Sequence, residues 1–232
     1  MIPIDIVSVD MFQTLIDVNS MRYCFWRKIL GKNYTEALAN EYTMQWGRLF
    51  FDHFNNAASK ADGFLCLKSI FEKFNVDFLP QLGIDFNPEH AAQIHVEIHR
   101  KAPPYEDTEV FLETMGEYFT ICLVTDSDDE MILPHLDKYK FDQIFISERL
   151  KTYKSDPANR MFQAVINHYS ISPVRIFHIG DMHTDILGAN KVGITTCWLN
   201  REGKNWNYSI KPDYEVESLL EAAEILGKPI KR

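Results

Sequence analysis

Five side chains that could perform chemistry follow four predicted strands of this 232-residue chain. Asp10 ends the first apolar run, Thr125 ends the second in LVTDS, and Lys154 follows the third in LKTYKSDP. Asp181 and Asp185 follow the fourth run in GDMHTD. Because ligands of parallel sheets bind beyond the carboxyl ends of the strands, we expect these side chains to share one cleft.

These residue types are the ones that phosphoryl transfer to a carboxylate requires. A carboxylate attacks phosphorus, while a hydroxyl and an ammonium hold the phosphoryl oxygens over which the transition state spreads charge. Asp10, Asp181 and Asp185 would repel one another and raise their pKa values unless a divalent cation lay among them. Since carboxylate oxygens are hard ligands, the sequence predicts a magnesium site.

The strands that should position these groups are short, fully apolar runs, which are typical of buried parallel strands. We predict strands at Ile4 to Asp10, Phe119 to Asp126, Gln143 to Ser147 and Arg175 to Asp181, and a fifth from Ile194. Helical patterns lie between the later strands. This alternation predicts an α/β fold with a doubly wound, Rossmann-like parallel sheet.

The alternation of strands and helices stops between residues 19 and 100. This stretch is rich in aromatic residues and follows helical periodicity, as in EYTMQWGRLFFDHF and GFLCLKSIFEKF. Pro103 and Pro104 then break the chain before the next strand. We predict a helical cap at 19–100, inserted into a catalytic core formed by 1–18 and 101–232.

Patterns within the predicted cap favour packing over ligand binding. His95 and His99 lie one helical turn apart, and without a third metal ligand we expect them on a solvated helix face. Four large aromatic residues follow amphipathic patterns and are expected in the core of the cap: Trp26, Trp46, Phe50 and Phe51.

Composition limits the partners of this chain. It has 24 Lys and Arg against 33 Asp and Glu, a formal net charge of -9, and no basic stripe for nucleic acid. A small anionic, phosphorylated substrate is compatible with this charge, because a bound cation can reverse the field within one cleft.

No apolar run reaches the ~18 residues of a membrane span. The N-terminus lacks a secretory pattern, so we expect a cytoplasmic protein. The four cysteines lack metal-binding spacing and are expected to be free core thiols.

The segments VSVDMFQT, LVTD, YKSDP and IGDMHTD resemble, in their order and strand positions, the four motifs of the haloacid dehalogenase superfamily. The resemblance spans nearly the whole chain, and four ordered motifs are far more specific than any one of them. It implies that Asp10 is the nucleophile and a ligand of Mg²⁺. It further implies that the Phe12 backbone carbonyl and Asp181 bind the metal, and that Asp185 binds it directly or through water.

The same resemblance assigns the groups that contact the substrate. Asp10, Thr125 and Lys154 are expected to be catalytic, while Thr125, Asp126 and Lys154 are expected to bind the transferred group. The 19–100 insertion resembles the helical cap that closes over the cleft and selects the substrate in many members of the superfamily.

One position departs from the phosphatases of this superfamily. They usually carry a second aspartate two residues after the nucleophile, which protonates the leaving group and later activates water, and here that residue is Phe12. Phenylalanine exchanges no proton, so a contribution of typically ~10²–10⁴-fold is missing unless another residue supplies it. His183, beside the fourth motif, is one candidate for that role.

Three functions therefore stay open. The intact GDMHTD motif favours a magnesium-dependent phosphatase that forms an aspartyl-phosphate on a small phosphorylated metabolite. Phe12 instead matches the 2-haloacid dehalogenases, which place an aromatic residue there but usually carry Asn at the position of Asp126. A third alternative is a binding or regulatory protein on a catalytically decayed scaffold.

Overall fold

The computed structural model describes residues 3–58, 63–228 and 230. Its centre is a six-stranded sheet in the order β3-β2-β1-β4-β5-β6, in which every pair of neighbours is parallel. The strands are β1 Ile6–Val9, β2 Thr120–Thr125, β3 Gln143–Ile146, β4 Ile176–Gly180, β5 Thr195–Leu199 and β6 Tyr214–Val216. The predicted doubly wound α/β sheet is confirmed.

The central strands are those that the sequence predicted, because their side chains are buried on both faces of the sheet. The strand order reverses at β1, which pairs with β2 on one side and β4 on the other. Ligands of open parallel sheets bind at such a switch point. Lys154, the group predicted after the third strand, follows β3, and β3 pairs with β2.

Four α-helices lie between β1 and the helix that precedes β2: α1 Arg22–Leu30, α2 Glu36–Ala58, α3 Leu67–Gln81 and α4 Pro88–Lys101. The others are α5 Thr108–Gly116, α6 Asp129–Leu136, α7 Ser147–Leu150, α8 Arg160–Tyr169, α9 His183–Lys191 and α10 Leu219–Ile225. The four inserted helices fall in the stretch that we predicted as a cap, and its boundaries stay a prediction. Within the described ranges, no helix has both the length and the apolar character that a membrane crossing needs.

The inserted helices share a hydrophobic cluster distinct from the cluster around the sheet. Trp26 and Phe50 are buried in it, as expected. Trp46 packs against its edge and stays partly exposed. Phe51 is 42% exposed, so its expected place in the core of the cap is wrong. The physical reason is its place on α2, one residue beyond the buried stripe to which Phe50 belongs.

The expectation of a solvated face is wrong for His95. Its ring is buried between Phe25 and Phe71, with ring centroids at 4.1 Å and 4.4 Å. These two partners come from α1 and α3, which pack against the buried stripe of α4. The spacing of His95 and His99 within one helix carries no information about Phe25 and Phe71, which lie far away in sequence.

All four thiols are free, as expected, but only two are buried in the core. Cys122 lies in β2 and Cys197 in β5. Cys24 and Cys66 belong to the inserted segment and are half-buried, because they lie at the edge of its packing rather than inside a strand.

Several side chains from the sheet half of the molecule hold the inserted helices, among them Asp128 and Tyr153. The carboxylate of Asp128 accepts hydrogen bonds from the backbone amides of Leu67 and Lys68, each at 2.7 Å, at the start of α3. The hydroxyl of Tyr153 donates to the carbonyl of Leu65 at 2.7 Å. These contacts fix the inserted helices directly above the carboxyl ends of the strands.

Candidate active site

The five groups predicted from the sequence lie together at the carboxyl edge of the sheet. Asp10 directly follows β1, and Thr125 is the last residue of β2. Asp181 joins β4 to α9, while Asp185 lies in the first turn of α9. Lys154 Nζ lies 2.5 Å from Asp10 Oδ1 and 2.5 Å from Asp185 Oδ1. The catalytic and metal-binding roles assigned to these residues stay predictions.

The carboxylate of Asp185 is fully buried and held by three donors. Its Oδ1 accepts from Lys154 and lies 3.0 Å from His178 Nε2, while its Oδ2 accepts from the backbone amide of Met182 at 3.1 Å. Because an ionised carboxylate can only accept, His178 donates through Nε2. Its Nδ1 lies 2.9 Å from the hydroxyl of Ser8.

His178 is a member of the site that the sequence analysis did not assign. Its signal was a polar residue in the middle of the apolar run RIFHIGD, since a buried polar side chain inside a strand needs a partner.

Gly180 permits the close approach of Asp185 to the end of β4. A Cβ atom at Gly180 would lie 2.2 Å from Asp185 Cγ. Gly188, one turn along α9, similarly faces the loop of Lys154, and a Cβ there would lie 2.9 Å from the Lys154 carbonyl oxygen. The glycines around GDMHTD therefore allow the helix to bring Asp185 and Lys154 together.

Asp10, Asp181 and Asp185 form an acidic cluster whose ligand atoms lie within 4.8 Å of one another. Among the described residues, the buried Oδ1 of Asp181 has no hydrogen-bond partner. Burial, followed by the charges of Asp10 and Asp185, holds the pKa of Asp181 well above its usual range. Three carboxylates face the single ammonium of Lys154, so a divalent cation would offset the charge that remains. The donor set therefore fits a metal ion that prefers oxygen ligands.

The pKa values of the other charged groups in the site shift in different directions. Burial by itself would raise the pKa of Asp185, but the charge of Lys154 and the hydrogen bond from His178 bring it down to about 2. Burial raises the pKa of Asp10, with Lys154 opposing that shift. Burial by itself would lower the pKa of Lys154, but its attraction to Asp10 and Asp185 together outweighs burial and raises this pKa. Of the two carboxylates that pair with Lys154, Asp185 is thus the more readily ionised.

Thr125 and Asp126 flank this cluster. Thr125 is 1% exposed, and its hydrogen bond to Asp10 lowers the pKa of that carboxyl. Asp126 Oδ1 accepts a hydrogen bond from the backbone amide of Lys154 at 2.9 Å. Burial raises the pKa of Asp126 to about 7. Asp126 therefore positions the loop of Lys154, and its predicted contact with substrate stays a prediction.

A cavity of about 410 Å³ lies between the acidic cluster and the inserted helices. On the sheet side it is lined by Phe12, Asp126 and Asp181. The helices contribute a wall of ring-bearing side chains: Phe25, Trp46, Phe50, Phe71, His95 and His99. The volume falls within the range of small-molecule sites.

The family can be assigned from the sequence that carries this site. Residues 9–199 match the model of a family described as haloacid dehalogenase-like hydrolase. The chain belongs to this family. The resemblance predicted from the four motifs is thereby confirmed, and the chain is a hydrolase of the haloacid dehalogenase superfamily.

Relatives within the haloacid dehalogenase superfamily include two reaction types. The chain is 26% identical over 140 residues to (S)-2-haloacid dehalogenase 4A of Burkholderia cepacia, and the matched segment covers 58% of this chain and 60% of that protein. It is 37% identical over 93 residues to the pyrimidine 5'-nucleotidase PynA of Streptococcus pneumoniae, and the matched segment covers 39% of this chain and 38% of that protein. The matched segments thus span less than two thirds of either relative.

Solved structures of the superfamily share the fold over almost their full length. The magnesium-bound putative hydrolase YfnB of Bacillus subtilis superposes with a TM-score of 0.81 at 19% identity, covering 97% of this chain and 99% of that one. The L-2-haloacid dehalogenase of Xanthobacter autotrophicus gives a TM-score of 0.81 at 15% identity, covering 97% and 98%. These similarities establish the fold.

Phe12 brings an apolar ring to the position where phosphatases of the superfamily usually carry an aspartate. The ring meets that of His99 edge-on, with centroids 4.7 Å apart. Burial lowers the pKa of His99 to about 4, so this imidazole is neutral at pH 7. Burial also lowers the pKa of His183, whose ring stacks on Tyr208 with centroids 4.7 Å apart. Both imidazoles are therefore poor proton donors at neutral pH.

Proposed function

We propose that this chain is a magnesium-dependent phosphatase that transfers a phosphoryl group from a small phosphorylated substrate to Asp10. The acidic cluster carries this proposal. Asp10 and Asp185 are buried and Asp181 is half-buried, and holding the three within 4.8 Å of one another is unfavourable with the charge of Lys154 alone. The buried Asp181 Oδ1 also lacks a partner among the described residues. A phosphorylated substrate and a divalent cation complement this arrangement together.

In the proposed reaction, a carboxylate oxygen of Asp10 attacks phosphorus and the bond from phosphorus to the leaving oxygen breaks. The electron pair of that bond departs with the leaving group. Thr125 and Lys154, both next to Asp10, bind the phosphoryl oxygens as charge spreads over them. Water then attacks phosphorus of the aspartyl-phosphate, which releases phosphate and restores Asp10.

Asp10, Asp181 and the backbone carbonyl of Phe12 would hold Mg²⁺, with Asp185 as a direct or water-mediated ligand. When bound, Mg²⁺ would offset the negative charge of the site and polarise a phosphoryl oxygen. Lys154 pairs with Asp10 Oδ1 and Asp185 Oδ1, whereas Asp181 Oδ1 has no partner among the described residues and is available to the cation.

The leaving group must depart without a strong acid beside it, because Phe12 has no proton to donate and His99 is neutral at pH 7. Carboxylates and nitrophenolates are stable anions at this pH, whereas an alkoxide is not. We therefore expect acyl phosphates and activated aryl phosphates to react faster than simple sugar phosphates.

A 2-haloacid dehalogenase is the second candidate, and Phe12 is the observation that favours it. A halide needs no proton when it leaves, and the first of the relatives above is named as a dehalogenase. The acidic cluster argues for the phosphatase instead, since a carboxylate that attacks carbon needs no second and third carboxylate beside it.

One experiment separates these reactions. Phosphate release from acetyl phosphate and 4-nitrophenyl phosphate, and chloride release from 2-chloropropionate, should be measured with Mg²⁺ and with a chelator. We expect phosphate release only with Mg²⁺, and its loss in Asp10→Asn and Asp181→Asn. Asp137→Asn is the matched control, because Asp137 is exposed and lies outside the acidic cluster.

Chloride release that persists with the chelator would overturn the phosphatase in favour of the dehalogenase. Absence of both reactions, together with no heat of Mg²⁺ binding in calorimetry, would overturn both enzymes and favour a decayed binding or regulatory protein.

A further inference from the structure

The cavity between the acidic cluster and the inserted helices has a largely apolar lining. Beyond the ring-bearing wall described above, further apolar side chains line it: Val18, Phe51, Phe54, Leu67 and Ile98. Val18 and Phe54 are half-buried, so part of each side chain stays uncovered by the protein. Contact with an apolar ligand would remove this surface from water and stabilise the complex.

The polar atoms of the ring-bearing wall are bonded within the protein or enclosed by it. The Nε1 of Trp26 donates to the hydroxyl of Thr43 at 2.9 Å, and that hydroxyl donates to the carbonyl of Ala39 at 2.6 Å. Trp46 Nε1 and His95 Nε2 have no surface that a ligand could reach. A ligand in the cavity therefore meets carbon atoms on these rings.

The charged side chains of the cavity lie apart from this wall. Asp126 and Asp181 line the sheet side, at the acidic cluster. Arg22 and Lys204 also line the cavity but are exposed, and Lys204 pairs with Glu202 at 2.9 Å. Burying hydroxyl groups or a second charge against an apolar wall is unfavourable, so the lining fits a ligand with one anionic end and an apolar body.

Phe12 lies where these two ends of the cavity meet. Its ring lines the cavity, and its backbone follows Asp10 by two residues. The ring of His99 meets that of Phe12 edge-on, and the His99 Nδ1 proton is donated to the carbonyl of His95 at 2.7 Å. Since Phe12 has no proton to offer, the oxygen that leaves phosphorus must be stable as an anion, as in a carboxylate or a phenolate.

We propose that the substrate carries an apolar acyl or aryl body, joined to phosphate through an oxygen that leaves as a carboxylate or a phenolate. Attack of Asp10 on phosphorus breaks the bond to this oxygen, and the electron pair departs on it without a proton. A cavity of about 410 Å³ holds a body much larger than an acetyl group. The phosphate end rests on the proposed function, whereas binding of the apolar body does not require turnover.

The first test measures binding to the intact chain without phosphoryl transfer. Calorimetry with Mg²⁺ compares methyl-, butyl- and hexylphosphonate, and the affinity should rise about 2- to 4-fold with each added methylene. A hydroxyl group at the end of the hexyl chain should weaken binding about 5-fold or more. Acetate, butanoate and hexanoate repeat the comparison with ligands that contain no phosphorus.

Val18→Phe tests the place of the apolar body, because the added ring shortens the cavity. It should lower the preference for hexyl- over methylphosphonate about 10-fold. Val174→Phe is the matched control, since Val174 is 40% exposed and lies outside the cavity lining, and it should keep the preference. Phe54→Ser is a second, independent variant. It replaces an apolar ring of the lining by a hydroxyl and should lower the preference about 3- to 10-fold.

Circular dichroism of each variant checks the fold before affinities are compared. A hexyl chain that binds no more tightly than a methyl group, in the phosphonates and in the carboxylates, would overturn the inference. Folded Val18→Phe and Phe54→Ser proteins that both keep the preference of Val174→Phe would also overturn it.

The second test measures turnover with Mg²⁺. We expect kcat/KM to be about 10-fold higher for hexanoyl phosphate than for acetyl phosphate. The rates of benzoyl phosphate and 4-nitrophenyl phosphate, which carry one ring each, assign the leaving oxygen to a carboxylate or a phenolate. Hexyl phosphate would lose an alkoxide and should inhibit without reacting, whereas its hydrolysis at the rate of hexanoyl phosphate would overturn the assignment of the leaving oxygen.

The two tests separate this inference from the proposed function. If no acyl or aryl phosphate is hydrolysed while the longer chains still bind more tightly, the proposed function fails and the apolar site stands. If acetyl phosphate is hydrolysed and chain length changes neither affinity nor rate, the apolar site fails and the phosphatase stands.

Discussion

Asp128→Ala tests a charge-assisted polar contact between the sheet half of the molecule and the inserted helices. The carboxylate is 3% exposed and accepts the amides of Leu67 and Lys68 at the N-terminus of α3. Hydrogen bonds to a charged group contribute about 1.5–3 kcal/mol each, so two give roughly 3–6 kcal/mol. Burial raises the pKa of Asp128, which shows that part of this gain is offset by desolvation. We expect a net loss of about 2–4 kcal/mol for Asp128→Ala.

Asp128→Asn should cost less, about 1 kcal/mol, because the amide oxygen still accepts a hydrogen bond from α3. Urea unfolding followed by fluorescence gives both values, and hydrogen exchange at Leu67 and Lys68 reports whether α3 frays first. Lys68→Ala is the control. It removes an exposed ion pair with Glu130 at 3.6 Å but keeps the backbone amide that Asp128 binds, so it should cost less than about 0.5 kcal/mol. A loss below that value in Asp128→Ala would refute the reasoning.

Three further changes test the site itself. Gly180→Ala should destabilise the fold by about 1–3 kcal/mol in urea unfolding, since its Cβ would meet Asp185 Cγ at 2.2 Å; unchanged stability would contradict the packing. His178→Phe removes the donor to Asp185 and should weaken Mg²⁺ binding ~10–100-fold in calorimetry, whereas equal affinity would assign His178 to packing alone. Phe12→Asp should speed the reaction of poor leaving groups by up to ~10²-fold and so flatten the plot of log rate against leaving-group pKa; an equally shallow slope in both proteins would reveal another proton donor.

The positions of the central strands could be predicted because each is an unbroken apolar run, and such runs are buried on both faces of a parallel sheet. Their ends carried the functional residues for the same reason, since a polar residue after such a run must lie at the edge of the sheet. β6 escaped prediction because Tyr214–Val216 has only three residues and two of them are exposed. No periodicity is visible in so short a segment.

Side-chain partners could not be predicted, because they depend on helices that meet only in the folded chain. His95 is buried by rings from α1 and α3, and Asp126 binds the backbone of Lys154 across 28 positions of sequence. The role of His178 was equally hidden, although its polarity within an apolar strand was visible. The sequence thus indicates which residues reach the edge of the sheet, while packing determines which atoms remain free for a ligand.

The two aspartates of GDMHTD illustrate how one short motif serves two needs. Asp185 is surrounded by donors and has a pKa of about 2, so it stays ionised and holds Lys154 next to Asp10. Asp181 has a buried oxygen without a partner among the described residues and a raised pKa, so a cation beside it would favour its ionised form. Apolar walls beside these carboxylates lower the effective dielectric, which strengthens the attraction of Asp185 to Lys154 and would strengthen the attraction of Asp181 to a cation. We therefore expect loss of Asp181 to act mainly on the metal, and loss of Asp185 to act mainly on Lys154.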